Sequence, residues 1–288
     1  MPPPGIDKWF TAQQNVKMPR GVRLRSSQQL SICREYASGH SSIQIARKYN
    51  ITAAGICKVL RRNGIQIRTP SELSRKYRCD ERYFRDIDTE PKAYWLGLLA
   101  ADGYIHGPTN QVKLTLQTMD RQHLQRFAIA LSSDLVVHDY NYVSPVSTIN
   151  IYSALMVADL DRLGIHQCKT ATVQMPVLPF HLRKHFIRGY YDGNGCICQH
   201  RGNQTWSVVG NRRIIEQIHA VLIEELDVSA VKLYVKPCHR NRSNPPSALR
   251  YCGRQAMQIL QWLNDGATIA LPRKQPCLRV WPFPITSS

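Results

Sequence analysis

The spacing of apolar and polar residues divides the chain into helical and extended stretches. Leu30, Ile32, Cys33, Tyr36 and Ala37 share one face of a helix that begins near Ser26 and stops at Gly39. Ser41 or Ser42 caps a second helix with Ile43, Ile45, Ala46 and Tyr49 as its stripe, and Asn50-Ile51 turns the chain. Thr52 caps a third, Ala53 to Arg62, whose Ile56, Val59 and Leu60 face inward. Its Ala54, Gly55, Lys58, Arg61 and Arg62 face outward before Asn63-Gly64 closes it. Further along, Val112, Leu114 and Leu116 alternate with Lys113, Thr115 and Gln117, the mark of a strand with one dry and one wet face.

Two longer apolar runs repeat each other. Ala93 to Ile105 and Phe186 to Ile197 align at a constant offset in which Gly97 matches Gly189, Ala101 matches Gly193, Asp102 matches Asn194 and Gly103 matches Gly195. The pattern after each run is the same. The first predicts a helix to Ala101, strands at 103–107 and 111–118, a helix Asp120–Leu131, strands Leu135–Tyr140 and Ser147–Tyr152, and a helix Leu155–Leu163. The second predicts a helix 181–193, strands near 195–201 and 204–209, a helix 211–225, strands near 231–236 and 247–252, and a helix 254–264.

The expected organisation is a basic arm at 1–25, a small all-α domain at 26–64, a linker at 65–91, two halves at 92–175 and 176–275, and a tail at 276–288. The small residues of the repeat, four apart on one helix face, let the two helices approach closely about a pseudo-twofold axis. Their ends then bring Asp102 and Asn194 side by side. Those side-chain oxygens and the carbonyls of Ala101 and Gly193 attract a hard divalent cation, magnesium or manganese.

Composition narrows the partner. Thirty-eight Lys and Arg against twenty Asp and Glu give a net charge of +18, the footprint of a polyanion binder, with nucleic acid as first candidate. No apolar run reaches membrane-spanning length and no secretory or lipidation signal is evident, so the chain reads as intracellular, cytoplasmic or nucleoid-associated, with no membrane partner. Nine cysteines without Cys-x-x-Cys spacing read as reduced thiols. Cys196, Cys198 and His200 alternate along one strand face without a second ligand pair, which favours a non-metal role.

With these residues in view, residues 80–275 resemble the LAGLIDADG homing endonucleases in their single-chain, two-motif form, an α+β class with αββαββα halves. Residues 26–64 resemble a helix-turn-helix module of the resolvase or homeodomain-like kind, carried by Ile45-Ala46-Arg47-Lys48-Tyr49-Asn50-Ile51-Thr52. A helical hairpin with a solvated basic face is the plainer alternative for that module. The resemblance implies a monomeric saddle of two sheets along the major groove, with metal-dependent hydrolysis across the minor groove leaving 3′ overhangs. Asp102 and Asn194 then stand at the catalytic and metal positions. Lys169 and Lys274, after the last helix of each half, resemble basic residues recurring there near the scissile phosphates; surface lysines touching only phosphate are the alternative.

Side-chain parity indicates the face toward DNA. With Ile105, Val112, Leu114 and Leu116 inward, Tyr104, His106, Lys113, Thr115 and Gln117 face the groove. In the second half Ile197, Trp206, Leu233, Val235, Leu249 and Tyr251 turn inward, leaving Cys198, His200, Lys232, Tyr234, Lys236 and Arg250 outward. In the small domain Ala54, Gly55 and Lys58 fall nearest the bases, and Arg61 and Arg62 on phosphate. Asn194 departs from the family, which usually has an acid there, so one negative charge is lost. Two other functions share these features: a non-catalytic DNA-binding regulator, and an intron maturase that binds RNA.

Overall fold

A computed structural model describes residues 24–67, 77–200, 203–235 and 245–274, with the backbone alone for His200. Most of the expected arm, the tail, Lys236 and the His200 side chain lie outside the described residues. Two compact units divide the chain between Lys76 and Tyr77.

The first unit holds α1 (Ser26–Ala37), α2 (Ser42–Tyr49) and α3 (Ala53–Arg62). Ile32, Ile45, Ile56 and Leu60 are completely or almost completely buried, as the apolar stripes require. Ser41 starts α2 with reciprocal bonds: its hydroxyl accepts from Gln44 N at 3.2 Å and its own N–H donates to the Gln44 side chain at 2.8 Å. Asn50, left-handed at φ 51°, ends that helix, and the Thr52 hydroxyl accepts from Gly55 N at 3.1 Å to begin the next. Ile65 and Ile67 pack on the same core, so the unit extends past Gly64.

The second unit runs α4 (Glu90–Asp102), β1 (Gly103–His106), β2 (Gln111–Gln117), α5 (Arg121–Ala130), β3 (His138–Tyr140), β4 (Val146–Tyr152) and α6 (Ala154–Arg162). It continues with α7 (Phe180–Asn194), β5 (Gly195–His200), β6 (Asn203–Gly210), α8 (Arg212–Leu226), β7 (Tyr234–Val235), β8 (Ser247–Cys252) and α9 (Gly253–Asn264). Two antiparallel four-stranded sheets result, ordered β1-β2-β4-β3 and β5-β6-β8-β7, the same order twice. Among the described residues no helix is long and apolar enough to cross a membrane.

Three expectations are corrected. The linker does not reach residue 91, because Tyr83 and Phe84 are buried in the core of the second unit; apolar side chains that close a core hold their segment to it. Strand β3 spans only His138–Tyr140, although Val137 before it is buried. Val235, expected inward, is exposed: β7 is a two-residue edge strand paired at Ala248 and Ser247, too short for alternation to impose a buried face.

Helices α4 and α7 make the most extensive interhelical contact. Residues Ala93 to Ala100 are all buried, which explains why α4 is apolar all round instead of striped. A methyl group placed on Gly97 would lie 2.0 Å from the Phe186 carbonyl oxygen, and one on Gly189 would lie 2.0 Å from the Tyr94 carbonyl oxygen. The contact is reciprocal, and it is backbone on backbone. Arg188, beside Gly189 in the middle of α7, donates to the Leu263 and Ile269 carbonyls at 2.9 Å each and to Glu90 at 2.5 Å. Such a buried pair tolerates desolvation because its remaining hydrogen-bonding capacity is also used.

Replacing Gly97 with alanine is expected to cost about 3 kcal/mol or more, because the neighbouring atoms are backbone and cannot step aside. The melting temperature should fall by roughly 6–12 °C. Gly107→Ala, where the added methyl meets nothing within 4 Å, should leave it nearly unchanged, and thermal unfolding followed by circular dichroism checks both.

Candidate helix-end site and nucleic-acid interface

Each paired helix runs directly into the first strand of a sheet, so the helix ends stand where the two sheets begin. Asp102 is the last residue of α4 and Asn194 the last of α7. Asp102 is exposed and Asn194 half-buried. The two ends touch: a methyl on Gly193 would fall 2.4 Å from the Ala101 methyl carbon and 3.0 Å from Asp102 Oδ2. Gly193 is therefore bare where the Asp102 carboxylate passes. Gly103 and Gly195 follow in extended conformations that any residue adopts. Their requirement is space, since added methyls would strike the Leu99 carbonyl at 2.5 Å and the Tyr191 ring at 2.0 Å.

The two lysines are not surface groups. Lys169 and Lys274 are both buried, and both end on backbone carbonyls where a helix passes into a strand. Lys169 Nζ donates to the Gly103 carbonyl. Lys274 Nζ donates to the carbonyls of Tyr191 at 2.8 Å, Asp192 at 2.6 Å and Gly195 at 2.8 Å. A cation at the negative end of a helix is favourable; the Tyr191 carbonyl also accepts from Gly195 N, and the Gly103 and Gly195 carbonyls open strands β1 and β5. Burial nevertheless penalises the ammonium: it lowers the pKa of Lys169 and brings that of Lys274 to about 8, against the opposing fields of nearby carboxylates. Asp102 carries the complementary strain. The protein packed behind its carboxyl withholds water and raises its pKa, while Lys274, Lys169 and Arg273 pull it back toward ionisation.

Asp192, two residues before Asn194, points away into the core, where its Oδ2 accepts from Tyr94 Oη and from Leu271 N at 2.7 Å each. Because Tyr94 gives its one proton to Asp192, the His123 imidazole at 2.7 Å donates to the tyrosine oxygen. Burial pushes Asp192 up to about 6 and, with Arg126 nearby, His123 down to about 4. Arg273 Nε donates to buried Asp120 at 2.9 Å. The segment after Ile269 is thus tied to both halves just before Lys274. A cavity of about 660 Å³, lined by Ala101, Lys169, Tyr190, Asn194 and Asn211 among others, opens beside the helix ends.

On the outer face of the first sheet stand Tyr104, His106, Lys113, Thr115 and Gln117, as parity requires, opposite buried Ile105, Val112, Leu114 and Leu116. Lys113 Nζ lies 4.8 Å from the centre of the Tyr104 ring, which stacks on His106. His106 Nδ1 also bonds Thr109 Oγ1 at 2.6 Å. Gln111, Asn150 and Tyr152 share this face, and charge and parity counting had not singled them out. Gln111 Nε2 donates to Asn150 Oδ1 at 2.9 Å and to Tyr152 Oη at 3.2 Å. Outward on the second sheet are Cys198, Tyr234 and Arg250, with the Arg250 guanidinium 6.0 Å from the Tyr234 ring, while Lys232, expected on a strand, is exposed in the irregular segment before β7. In the first unit Lys58, Arg61 and Arg62 are exposed on α3. Among the described residues no group of three His, Cys, Asp or Glu side chains is placed to hold a metal.

No protein-family model matches the chain, and no curated protein matches it. Solved structures similar to it include full-length WhiA from Thermatoga maritima, at 14% identity and TM-score 0.43, covering 69% of this chain and 63% of that one. The chain therefore spans less than two thirds of that protein. The homing endonuclease I-WcaI bound to its DNA recognition sequence is also similar, at 9% identity and TM-score 0.46, covering 76% of this chain and 97% of that one. I-CpaMI, a LAGLIDADG meganuclease bound to uncleaved DNA, is similar at 11% identity and TM-score 0.40, with 66% and 88% covered.

The buried groups make stability pH-dependent in opposite directions. Asp192, whose pKa is raised on folding, contributes stability at low pH that is lost as pH rises from 4 to 6; His123, whose pKa is lowered, contributes less at low pH and more as pH rises from 4 to 6.5. Relative to the unmodified protein, Asp192→Asn should gain stability over the first interval, and His123→Gln should lose it over the second. Urea unfolding at stepped pH measures both trends.

Proposed function

We propose that the protein binds double-stranded DNA across the outer faces of its two sheets and hydrolyses a phosphodiester at the ends of α4 and α7 with one divalent cation. In this reading the halves are related by a pseudo-twofold axis, the chain acts as a monomer, and each sheet follows the major groove of one half-site. The observation that carries it is the reciprocal packing at Gly97 and Gly189, which sets an exposed carboxylate against bare Gly193 at the point where both sheets start. The net charge of +18 supplies the long-range attraction to a polyanion. Helix α3, with Lys58, Arg61 and Arg62, adds a helix-turn-helix contact to the same duplex.

The donors at the helix ends suit magnesium or manganese. The Asp102 carboxylate, the Asn194 amide oxygen and the carbonyls of Ala101 and Gly193 are hard oxygens, and magnesium commonly takes one or two carboxylates with water and phosphate completing its shell. They fit one strongly held cation, because Asn194 brings no charge. When bound, the cation supplies charge stabilisation at the phosphate and a lowered pKa for the attacking water. Asp102 must be ionised to hold it; burial raises its pKa, and the fields of Lys274, Lys169 and Arg273 oppose that rise only in part. Lys169 and Lys274 hold the strand-entry backbone in place through its carbonyls.

A second reading, a DNA-binding regulator without cleavage, draws on one feature: the only carboxylate at the paired helix ends is Asp102, and both neighbouring amines are engaged with backbone. A duplex selected from a random library and placed in a supercoiled plasmid separates the two. With magnesium, nicked circles are expected to accumulate before linear product, EDTA should stop the reaction, and Asp102→Asn should abolish it while binding persists. Asn194→Asp should raise the share of linear product. Tight duplex binding with no cleavage by either the unmodified protein or Asn194→Asp would establish the regulator, and preference for structured intron RNA over the duplex would establish a maturase.

A further inference from the structure

The outer face of the first sheet carries a polar group that its charge does not explain. Gln111 and Asn150 are half-buried, project from neighbouring strands β2 and β4, and are joined by the 2.9 Å bond from Gln111 Nε2 to Asn150 Oδ1. Tyr152 Oη takes the other Gln111 amide proton at 3.2 Å. Both side chains are thereby fixed before any ligand arrives. Lys113, the register partner of Asn150, is drawn aside over the Tyr104 ring and does not fill the exposed amide edge.

We propose that Gln111 and Asn150 act as one specificity-determining pair that reads an adenine in the major groove. The inference rests on the DNA-binding reading above and deepens it. Among the described residues, the atoms left without a hydrogen-bond partner are Gln111 Oε1, an acceptor, and the Asn150 Nδ2 amide, a donor. Adenine offers the complement there, an N6 amino donor beside an N7 acceptor. Guanine presents two acceptors, which would set O6 against an oxygen or leave one amide group unpaired. Thymine and cytosine each present one polar group, leaving half of the pair unsatisfied and desolvated. Exchanging oxygen and nitrogen on both amides returns the same complement of one donor and one acceptor, so the argument does not depend on their assignment.

The second sheet supplies an internal contrast. Val112 bridges Ile105 and Ile151 in the first sheet as Trp206 bridges Ile197 and Tyr251 in the second. On that register the counterparts of Gln111, Asn150 and Tyr152 are Thr205, Arg250 and Cys252, with no amide pair among them. An exposed guanidinium at the Asn150 position prefers guanine or phosphate. The adenine preference therefore belongs to one half-site only, and the target departs from palindromic symmetry at that position.

Selection of duplexes from a random library by the full-length chain, followed by sequencing, tests this. The unmodified protein is expected to enrich an adenine at one position in one half-site. Gln111→Ala and Asn150→Ala, on the outer face of the sheet and away from the core, should each weaken that preference roughly 5- to 100-fold while keeping the thermal melt of the parent. Arg250→Ala should alter the other half-site instead. An unchanged preference in both amide variants, or selected sites without an adenine confined to one half, overturns the pair while leaving DNA binding standing. Failure of the unmodified protein to enrich any duplex overturns the DNA-binding reading and the pair with it.

Discussion

Everything in the larger unit depends on two helices touching backbone to backbone. Side chains normally hold helix axes about 8–10 Å apart; at Gly97 and Gly189 no side chain intervenes, and the carbonyls of Phe186 and Tyr94 occupy the space a methyl would need. That contact sets the register of one helix against the other and so determines which residues meet at their ends. Glycine in a helix sacrifices propensity, by about 1 kcal/mol each relative to alanine. Here the loss is offset by burying the apolar α4 and the inner face of α7 against each other and against their sheets. The bare Gly193 beside the Asp102 carboxylate is a further consequence of the same register.

The charge arrangement around the helix ends follows from what helix ends are. Their carbonyls lack intrahelical partners and carry partial negative charge. Lys274 reaches the Tyr191 and Asp192 carbonyls at the end of α7 and Lys169 the Gly103 carbonyl just past α4, both from buried positions at the expense of ammonium solvation. Beneath the site, Tyr94, Asp192 and His123 join α4, α7 and α5, and the Leu271 N–H brings the last described segment onto the same carboxylate. Lys274 thus reaches the end of α7 because a buried network has already placed the chain three residues before it.

Features governed by local periodicity were legible in the sequence. The repeated run, the alternation at Val112, Leu114 and Leu116 and the cap at Thr52 all follow from spacing along one element. The order of elements in each half was legible for the same reason. What spacing could not convey was where irregular segments go. Lys169 and Lys274 sit on short turns with no period, and only the tertiary path brings them under the helix ends. Tyr83 and Phe84 lie in a polar, basic stretch whose composition hid two core residues. Gln111 and Asn150 carry no charge and lie far apart in sequence, so their bond appears only once β2 and β4 pair. Val235 went the other way because an edge strand of two residues cannot enforce alternation.

The central claim is that the helix pair creates a centre with one charged ligand, at Asp102, between two DNA-contacting sheets. Anomalous scattering from crystals of the protein on a selected duplex, grown with manganese, tests it most directly. The account predicts one dominant manganese peak coordinated by Asp102 beside the DNA backbone at the ends of α4 and α7. Absence of a peak at Asp102, or two equal peaks shared by Asp102 and Asn194, would contradict it.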